Sequence, residues 1–431
     1  MITTPTYKPV IPAWLPAFPS HWKVMRIKNL FREIDDRSVS GSEELLSVSQ
    51  YTGITPKRES LENEDDNLTN AASLEGYKKV TAGDLVINIM LAWNGSLGIS
   101  PYNGIVSPAY CVYRCLPGNN PEYFGYLFST NLFKAEFRRN STGIIDSRLR
   151  LYSDKFFGIF SIVPPIDEQN SIVNFIKVQE EKINRFIQKK LHFIDLLKEQ
   201  RQCIINNAVT KGLEHNVKSK NSGFEFIEDI PFNWEIVKLK YLLLGMVDTE
   251  HKTVEFIPDG ECFVVRTSNI KGGNLVFDNA KYTSQKGFEE WTRRGIPLPG
   301  DILFTREAPA GEACIAPSGL KFCLGQRVVW LKVDALKLNA EFGIHAIYSD
   351  LARQFVLNLS NGSTVVHFNM SDIGSIPLIV PPLEEQIQIV AYIKAETAII
   401  DIAIAKAEKE IDLIKEYKEA MIAEAVMGKI L

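Results

Sequence analysis

The sequence contains one long segment twice. Residues 164–169 read PPIDEQ, and residues 381–386, which lie 217 positions later, read PPLEEQ. The same offset carries the Ala-Val pair at 208–209 onto the pair at 425–426, with no gap in between. A repeat of this kind constrains a chain more than any local pattern, because the fold must be built from two copies of one unit.

The repeat also extends upstream of the PP-x-x-E-Q motif. Residues 19–30, PSHWKVMRIKNL, match residues 231–242, PFNWEIVKLKYL. Residues 82–88, AGDLVIN, match residues 299–305, PGDILFT. The whole chain is therefore expected to be a pseudo-two-fold internal repeat.

Each copy ends in a segment with the pattern of a long amphipathic helix. Apolar residues recur at alternating spacings of four and three, and neither Pro nor Gly interrupts the pattern before Gly212 or Gly428. This predicts two helices of about 45 residues, or about 65 Å each. The predicted seam consists of Ile183, Ile187, Ile194, Leu197 and Ile204 in the first helix and Ile400, Ile404, Ile411, Ile414 and Met421 in the second.

A single helix of this length cannot bury its apolar stripe, so each helix needs a partner. The matching register makes the other copy's helix the expected partner. Since the first helix leads into the second copy and the second helix must run back to meet it, the pair is predicted to be an antiparallel coiled coil. Two unrelated helices, each packed on its own domain, are the alternative.

The remainder of each copy has the pattern of an α+β domain. Short β-prone runs alternate with Gly, Pro, Asn and Ser turns, helical intervals interrupt them, and each domain has roughly 150 residues. Small polar loops at 140–148 and 360–369 follow the helical intervals, where binding residues tend to lie. The expected boundaries are 1–163 for the first domain, 164–222 for the first helix, 223–380 for the second domain and 381–431 for the second helix.

Composition narrows the class of protein. With 45% hydrophobic and 23% charged residues in 431, the chain is large enough for two or three cores. It has no apolar run of membrane-spanning length and no signal-peptide layout, so we expect a cytoplasmic protein. The six cysteines lack metal-ligand spacing, and no metal site is predicted. A net charge of −4 argues against a wholly basic surface but is compatible with a local basic face.

These features resemble the DNA-specificity (S) subunit of type I restriction-modification systems, over essentially the whole chain. The residues that carry the resemblance are the duplicated PP-x-x-E-Q segment with its long helix, the W-x-[VI]-x-[KR]-[IL]-K lead-in and the GD-[LI] strand. The resemblance implies a non-catalytic subunit of a DNA adenine methyltransferase and endonuclease. Its fold would be α+β, with two similar target-recognition domains, each reading half of a bipartite DNA site, separated by the two coiled-coil helices.

The resemblance also implies partners. Double-stranded DNA would be the ligand, two methylating (M) subunits would dock on the coiled coil, and motor-nuclease (R) subunits would complete the assembly. No cofactor is expected in this chain, because S-adenosylmethionine, ATP and Mg would belong to the partner subunits.

No catalytic residue is predicted in the chain. The string nearest to an adenine-methyltransferase motif is SPAY at 107–110, which lacks the second proline. Gly428-Lys429 has no glycine loop before it, so it is not a phosphate-binding loop.

Readout of DNA sequence needs Arg, Lys, Asn, Gln, Ser or Thr side chains aimed at base edges, with further cations on phosphates. We expect such residues in the domain loops. The candidates in the first domain are Lys57, Arg58, Asn94, Arg138, Arg139, Thr142 and Arg148, and those in the second are Arg293, Arg294, Arg306, Ser363, Thr364 and His367.

Two other classes of protein remain as alternatives. A coiled-coil adaptor that joins two protein-binding domains is favoured by the acidic net charge. An enzyme with an active site split between the domains is disfavoured by the missing motifs. Only the specificity subunit predicts binding to a bipartite DNA site that weakens steeply as salt rises.

Overall fold

A computed structural model of the chain describes residues 7–8, 12–57, 73–145, 148–214, 217–224, 227, 229–249, 252–359 and 368–430. The chain divides into two compact units. The first unit comprises residues 1–191 and 408–431, and the second comprises residues 192–407. Each of the two long helices therefore begins in one unit and ends in the other, and it is given below with the unit in which it begins.

The first unit is built on a four-stranded antiparallel sheet. Its order is β4-β11-β8-β9, and a separate antiparallel pair joins β3 to β12. Its core includes buried phenylalanines of α1, α2 and α3. The elements are β1 (Tyr7–Lys8), β2 (Phe18–Pro19), β3 (Lys23–Arg26), β4 (Phe31–Ile34), β5 (Leu46–Ser49), β6 (Gly53–Pro56), β7 (Lys78–Val80), β8 (Leu85–Asn88), β9 (Leu97–Ile99), β10 (Gly104–Val106), β11 (Tyr110–Cys115), α1 (Pro121–Ser129), α2 (Asn131–Asn140), α3 (Ser153–Gly158), β12 (Phe160–Val163) and α4 (Ile166–Lys211).

The second unit repeats this topology. Its four-stranded sheet has the order β16-β24-β21-β22, β15 pairs with β25, and an additional sheet has the order β20-β17-β23. The elements are β13 (Ser219–Lys220), β14 (Ile230–Pro231), β15 (Glu235–Lys238), β16 (Leu243–Asp248), β17 (Cys262–Val265), β18 (Ile270–Lys271), β19 (Asn274–Leu275), β20 (Tyr282–Thr283), α5 (Gln285–Trp291), β21 (Ile302–Thr305), β22 (Ala313–Ile315), β23 (Phe322–Leu324), β24 (Val328–Val333), α6 (Ala340–Ile347), α7 (Asp350–Leu359), α8 (Met370–Ser375), β25 (Pro377–Val380) and α9 (Leu383–Val426).

The repeated glutamate of the PP-x-x-E-Q motif fastens each long helix to the lead-in tryptophan. Glu168 accepts a 2.7 Å hydrogen bond from the indole N–H of Trp22, and Glu385 accepts the same bond, also 2.7 Å, from Trp234. Both tryptophans are almost fully buried. A buried indole N–H requires an acceptor, which explains why the motif and the lead-in recur together.

The repeated glutamine fastens the same helix to the start of α1 or α6. Gln169 accepts a 2.8 Å hydrogen bond from the backbone N–H of Asn120, the N-cap residue of α1. Gln386 accepts a 2.7 Å bond from Asn339, the N-cap residue of α6. Each glutamine also donates to the carbonyl of the first proline in its own motif. We call this buried arrangement the glutamine joint; it is present in both units.

The glycine after each long helix lies close to the lead-in tryptophan of the other copy. Gly212 has a φ of 79° and Gly428 a φ of 68°, both in the left-handed region that favours glycine at a helix end. A Cβ atom would lie 3.1 Å from Trp234 at the first position and 2.8 Å from Trp22 at the second. The backbone conformation and the tryptophan contact therefore both favour glycine.

The long helices α4 and α9 contain 46 and 44 residues, as the heptad pattern predicts. In the first unit, Glu180 forms an ion pair with Lys418 at 3.0 Å, and Lys190 forms one with Glu410 at 2.5 Å. The residue numbers rise along α4 as they fall along α9, so the helices run antiparallel there. Of the described helices, none is both long and apolar enough to cross a membrane.

In the second unit the two helices also contact each other. Arg201 of α4 forms an ion pair with Asp401 of α9 at 3.2 Å.

The ten predicted seam residues, which come from both units, are all buried or half-buried. Ile183, Ile194, Ile400, Ile411 and Met421 are buried, and Ile187, Leu197, Ile204, Ile404 and Ile414 are half-buried.

Candidate nucleic-acid interface

In the first unit, the predicted DNA-binding residues Asn94 and Arg138 lie on one exposed surface. Asn94 ends the short 3₁₀ turn after β8, and Arg138 lies in the last turn of α2. The guanidinium of Arg138 stacks over the ring of Trp93 at 5.3 Å. Phe133 and Phe137 are fully buried and fix the orientation of α2, so the arginine at its end is held toward solvent.

Arg139 lies beside Arg138 and is also exposed. Its guanidinium donates to Glu136 at 2.6 Å, a contact three residues apart on one helix. This hydrogen bond raises the pKa of Arg139 above its ordinary value, although the guanidinium is charged with or without it. One carboxylate therefore accompanies the two arginines at this end of α2.

The loop after α2 carries Thr142 and Arg148. Thr142 and Arg150 exchange two backbone hydrogen bonds of 2.9 Å each, so the loop closes on itself like a short hairpin. Thr142 and Arg148 are exposed on this loop. We call residues 142–150 the arginine loop; residues 146 and 147 lie outside the described residues.

The remaining candidates of the first domain lie near β6. Lys57 follows the end of this strand and is half-buried, and its backbone N–H donates to the carbonyl of Leu45. Arg58 lies outside the described residues.

In the second unit, Arg293 and Arg294 are exposed in the turn after α5. Arg294 donates to the backbone carbonyl of Asp248 at 2.8 Å, which orients its side chain along the edge of β16. Ser363, Thr364 and His367 lie outside the part of the chain that the structure describes.

The structure argues against Arg306 as a DNA-binding residue. Its side chain is buried, with 7% exposure, and its guanidinium forms an ion pair with Asp248 at 2.6 Å. A buried ion pair is costly to break, because separation leaves an uncompensated charge in the interior. Arg306 therefore links the end of β21 to the end of β16 across the intervening strand β24, rather than contacting bases or phosphates.

Two basic residues of the first unit were absent from the sequence prediction. Lys134 of α2 passes the turn after Trp93 so closely that a Cβ at Gly95 would lie 2.7 Å from its side chain. Arg150 closes the base of the arginine loop. Both lie within the segment that supplied other candidates, so extending the search along α2 and its loop would have found them.

These surfaces are rich in hydrogen-bond donors. Guanidinium, ammonium, amide and hydroxyl groups suit base edges and phosphates. Burial raises the pKa of the Cys115, Cys314 and Cys323 thiols to about 12, which keeps them protonated at neutral pH. Within the described ranges, no three His, Cys, Asp or Glu residues form a group that could hold a metal ion.

Comparisons with known proteins find relatives. A family model described as the type I restriction modification DNA specificity domain matches residues 231–412. The type I restriction enzyme MjaVIII specificity subunit of Methanocaldococcus jannaschii is 23% identical over 96% of this chain and 93% of its own length. A putative type I restriction enzyme MjaX specificity subunit of the same organism is 26% identical over 62% of this chain and 58% of its own length.

A comparison with solved structures finds the same fold. One chain, from a structure described as the basis for complex assembly and conformational transition of the type I R-M system, has a TM-score of 0.66. It is 15% identical, and the match covers 96% of this chain and all of the other. The predicted fold class is confirmed by this likeness and by the antiparallel contacts of α4 and α9.

Proposed function

We propose that this chain, which belongs to the family of type I restriction-modification specificity subunits, reads a bipartite DNA site with its two globular domains. The observation that carries the proposal is that the two units share one scaffold but differ in the polar residues exposed on it. The glutamine joint and the four-stranded sheet occur in both units. The exposed polar residues near the loops differ, as expected if each domain reads a different half-site.

In this proposal, Asn94, Arg138, Arg139, Thr142 and Arg148 contact DNA from the first domain, with Lys134 and Arg150 beside them. Arg293 and Arg294 contact DNA from the second domain. The arginines suit guanine edges or phosphates, and Asn94 suits an adenine edge. The domain boundaries at residues 163, 222 and 380 belong to the same proposal.

The partners belong to the proposal as well. Two methylating subunits dock on the α4 and α9 helices, and motor-nuclease subunits join the full complex in the cytoplasm. S-adenosylmethionine, ATP and Mg would be bound by those subunits. This chain would contribute sequence recognition and a docking surface.

The test is a methylation map of DNA from cells that express the chain with its methylating subunit, together with a gel-shift titration at several salt concentrations. We expect modification at one bipartite sequence and a steep loss of affinity as salt rises. An adaptor that joins two proteins would give neither result. Stable binding that is indifferent to salt and sequence would contradict the proposal.

A further inference from the structure

The tip of the arginine loop exposes two isoleucines. The side chain of Ile144 is 100% exposed and that of Ile145 is 52% exposed. Exposed apolar residues are common on protein surfaces, so this pair is informative only together with its surroundings. The surroundings of this pair indicate what it contacts.

The base of the loop is held in place on both sides. Thr142 and Arg150 pair through two backbone hydrogen bonds, and the N–H of Leu151 donates to the carbonyl of Ile89 at 2.9 Å, just after β8. Leu149 and Leu151 are buried. The apolar tip is therefore carried on an anchored base beside the turn that holds Trp93.

Glycine is required at the start of the tip. Gly143 has a φ of 150°, and a Cβ atom there would lie 2.5 Å from the carbonyl oxygen of Arg148. The loop is therefore narrow between residues 143 and 148, and the side chain of Ile144, next to Gly143, is fully exposed. In the second copy, the sequence places Val365 and Val366 at the corresponding point, although these residues lie outside the described ranges.

The charge around the tip favours a polyanion as the partner. Residues 131–150 contain five basic and two acidic side chains, in a protein whose net charge is −4. The basic residues are Lys134, Arg138, Arg139, Arg148 and Arg150. An apolar tip between arginines matches proteins that insert Ile, Leu or Phe between base pairs while cations hold the phosphates.

We infer that Ile144 is an intercalating wedge, which partly unstacks a base step in the half-site that the first domain reads. This inference rests on the proposed function and deepens it. The wedge makes recognition depend on the ease of unstacking at one step, so pyrimidine–purine steps would be favoured at that position.

The experiment uses the full chain in complex with its methylating subunit and duplexes that carry the mapped site. A fluorescent adenine analogue replaces one base at a time in the first half-site, excluding the methylated adenine, which a methyltransferase extrudes by itself. We expect a rise in fluorescence at one step with the wild-type chain. Ile144→Ala should abolish that rise and weaken specific binding about tenfold, while Ile144→Leu retains both.

The matched control is Leu336→Ala, which removes an apolar side chain of 87% exposure from the second unit and should change neither signal. Wild-type fluorescence and affinity in Ile144→Ala would overturn the wedge. A variant that keeps the fluorescence but loses the methylating subunit would overturn it too, because the tip would then bind protein. A wild-type complex that methylates a bipartite site without unstacking would refute only the wedge, whereas absence of any bipartite site would refute the proposed function.

Discussion

The two units carry different side chains at one equivalent position of α1 and α6. One of these side chains lies beside a carboxylate of a long helix, and the other lies near an arginine. Tyr126 of α1 and His345 of α6 both lie six residues after the N-cap asparagine of their helix. Tyr126 donates to Glu180 at 2.7 Å, and the same carboxylate pairs with Lys418. In the second unit, burial and then the nearby Arg201 lower the pKa of His345 to about 4.

The glutamine joint, in contrast, is the same in both units. Gln169 and Gln386 are nearly inaccessible to solvent and make equivalent hydrogen bonds to backbone groups. Backbone N–H and C=O groups are the same in any sequence, so this joint recurs unchanged. The side chains around Tyr126 and His345 depend on each other instead, and the two copies have diverged there. The comparison indicates that the two copies keep the hydrogen bonds from the glutamine to the backbone, whereas the side-chain pairs around α1 and α6 differ between them.

The largest expected effect comes from placing a charge in the helix seam. Ile194 in the second unit and Ile411 in the first correspond under the 217-residue offset and are 4% and 5% exposed. Ile194→Asp and Ile411→Asp should each lower the free energy of unfolding by about 3–5 kcal/mol, because an unpaired carboxylate is buried. Urea unfolding and copurification with the methylating subunit measure the result. Leu413→Asp, at a 53% exposed position of α9, is the control; equal behaviour of Ile411→Asp and this control would show that the seam is not packed.

The next effect tests whether the two glutamine joints are equivalent. Gln169→Ala and Gln386→Ala each leave a buried backbone N–H and C=O without their partner, so a loss of about 2–4 kcal/mol is expected in both variants. Gln388→Ala changes an exposed glutamine on α9 and should be nearly neutral. Urea titration of the three variants provides the comparison. A large loss in one copy with none in the other would break the equivalence.

Lowering the pH should destabilise the second unit through His345. His345 has a folded pKa of about 4, below its ordinary value of 6.5, so the unfolded chain binds the proton more readily between these pH values. The contribution of this group is complete above pH 6.5 and is lost as pH falls toward 4, by about 2–3 kcal/mol. His345→Tyr, which installs the residue found in the first copy, should lose less stability between pH 7 and pH 4.5 than the wild type. Parallel pH profiles for the two proteins would count against this environment of His345.

The smallest expected effect concerns the basic surface of the first unit. Arg138→Gln should weaken DNA binding about three- to tenfold and reduce the slope of log affinity against log salt by about one, if Arg138 contacts a phosphate. Arg185→Gln removes an exposed arginine on α4 and serves as the control. Indistinguishable salt slopes for the two variants would remove Arg138 from the interface.

Much of the architecture could be predicted because it depends on short-range patterns. The heptad spacing around Ile400 and Ile411 fixes the helix and its buried stripe, and the repeated GD segment fixes a turn. Asp84 accepts from the N–H of Thr81, and Asp301 accepts from that of Leu298, so the aspartate caps the turn before its strand. Each of these contacts spans only three residues and is visible in the sequence.

The errors and gaps arise from contacts between distant residues. Arg306 follows a strand in a loop-like segment, and its sequence gives no sign of the ion pair with Asp248, which lies 58 positions upstream. The partner of Gln386 at Asn339 is 47 positions away, so the motif could be recognised before its purpose was known. The exposure of Ile144 likewise depends on how the base of its loop is anchored.

The central claim is that each domain reads its own half of a bipartite site. The direct measurement is a methylation map of a complex in which residues 20–163 are replaced by the equivalent domain of a relative with another specificity. We expect one half of the recognised sequence to change and the other half to remain as in the wild type, since the second unit is intact. A map in which both halves change would contradict independent reading by the two domains.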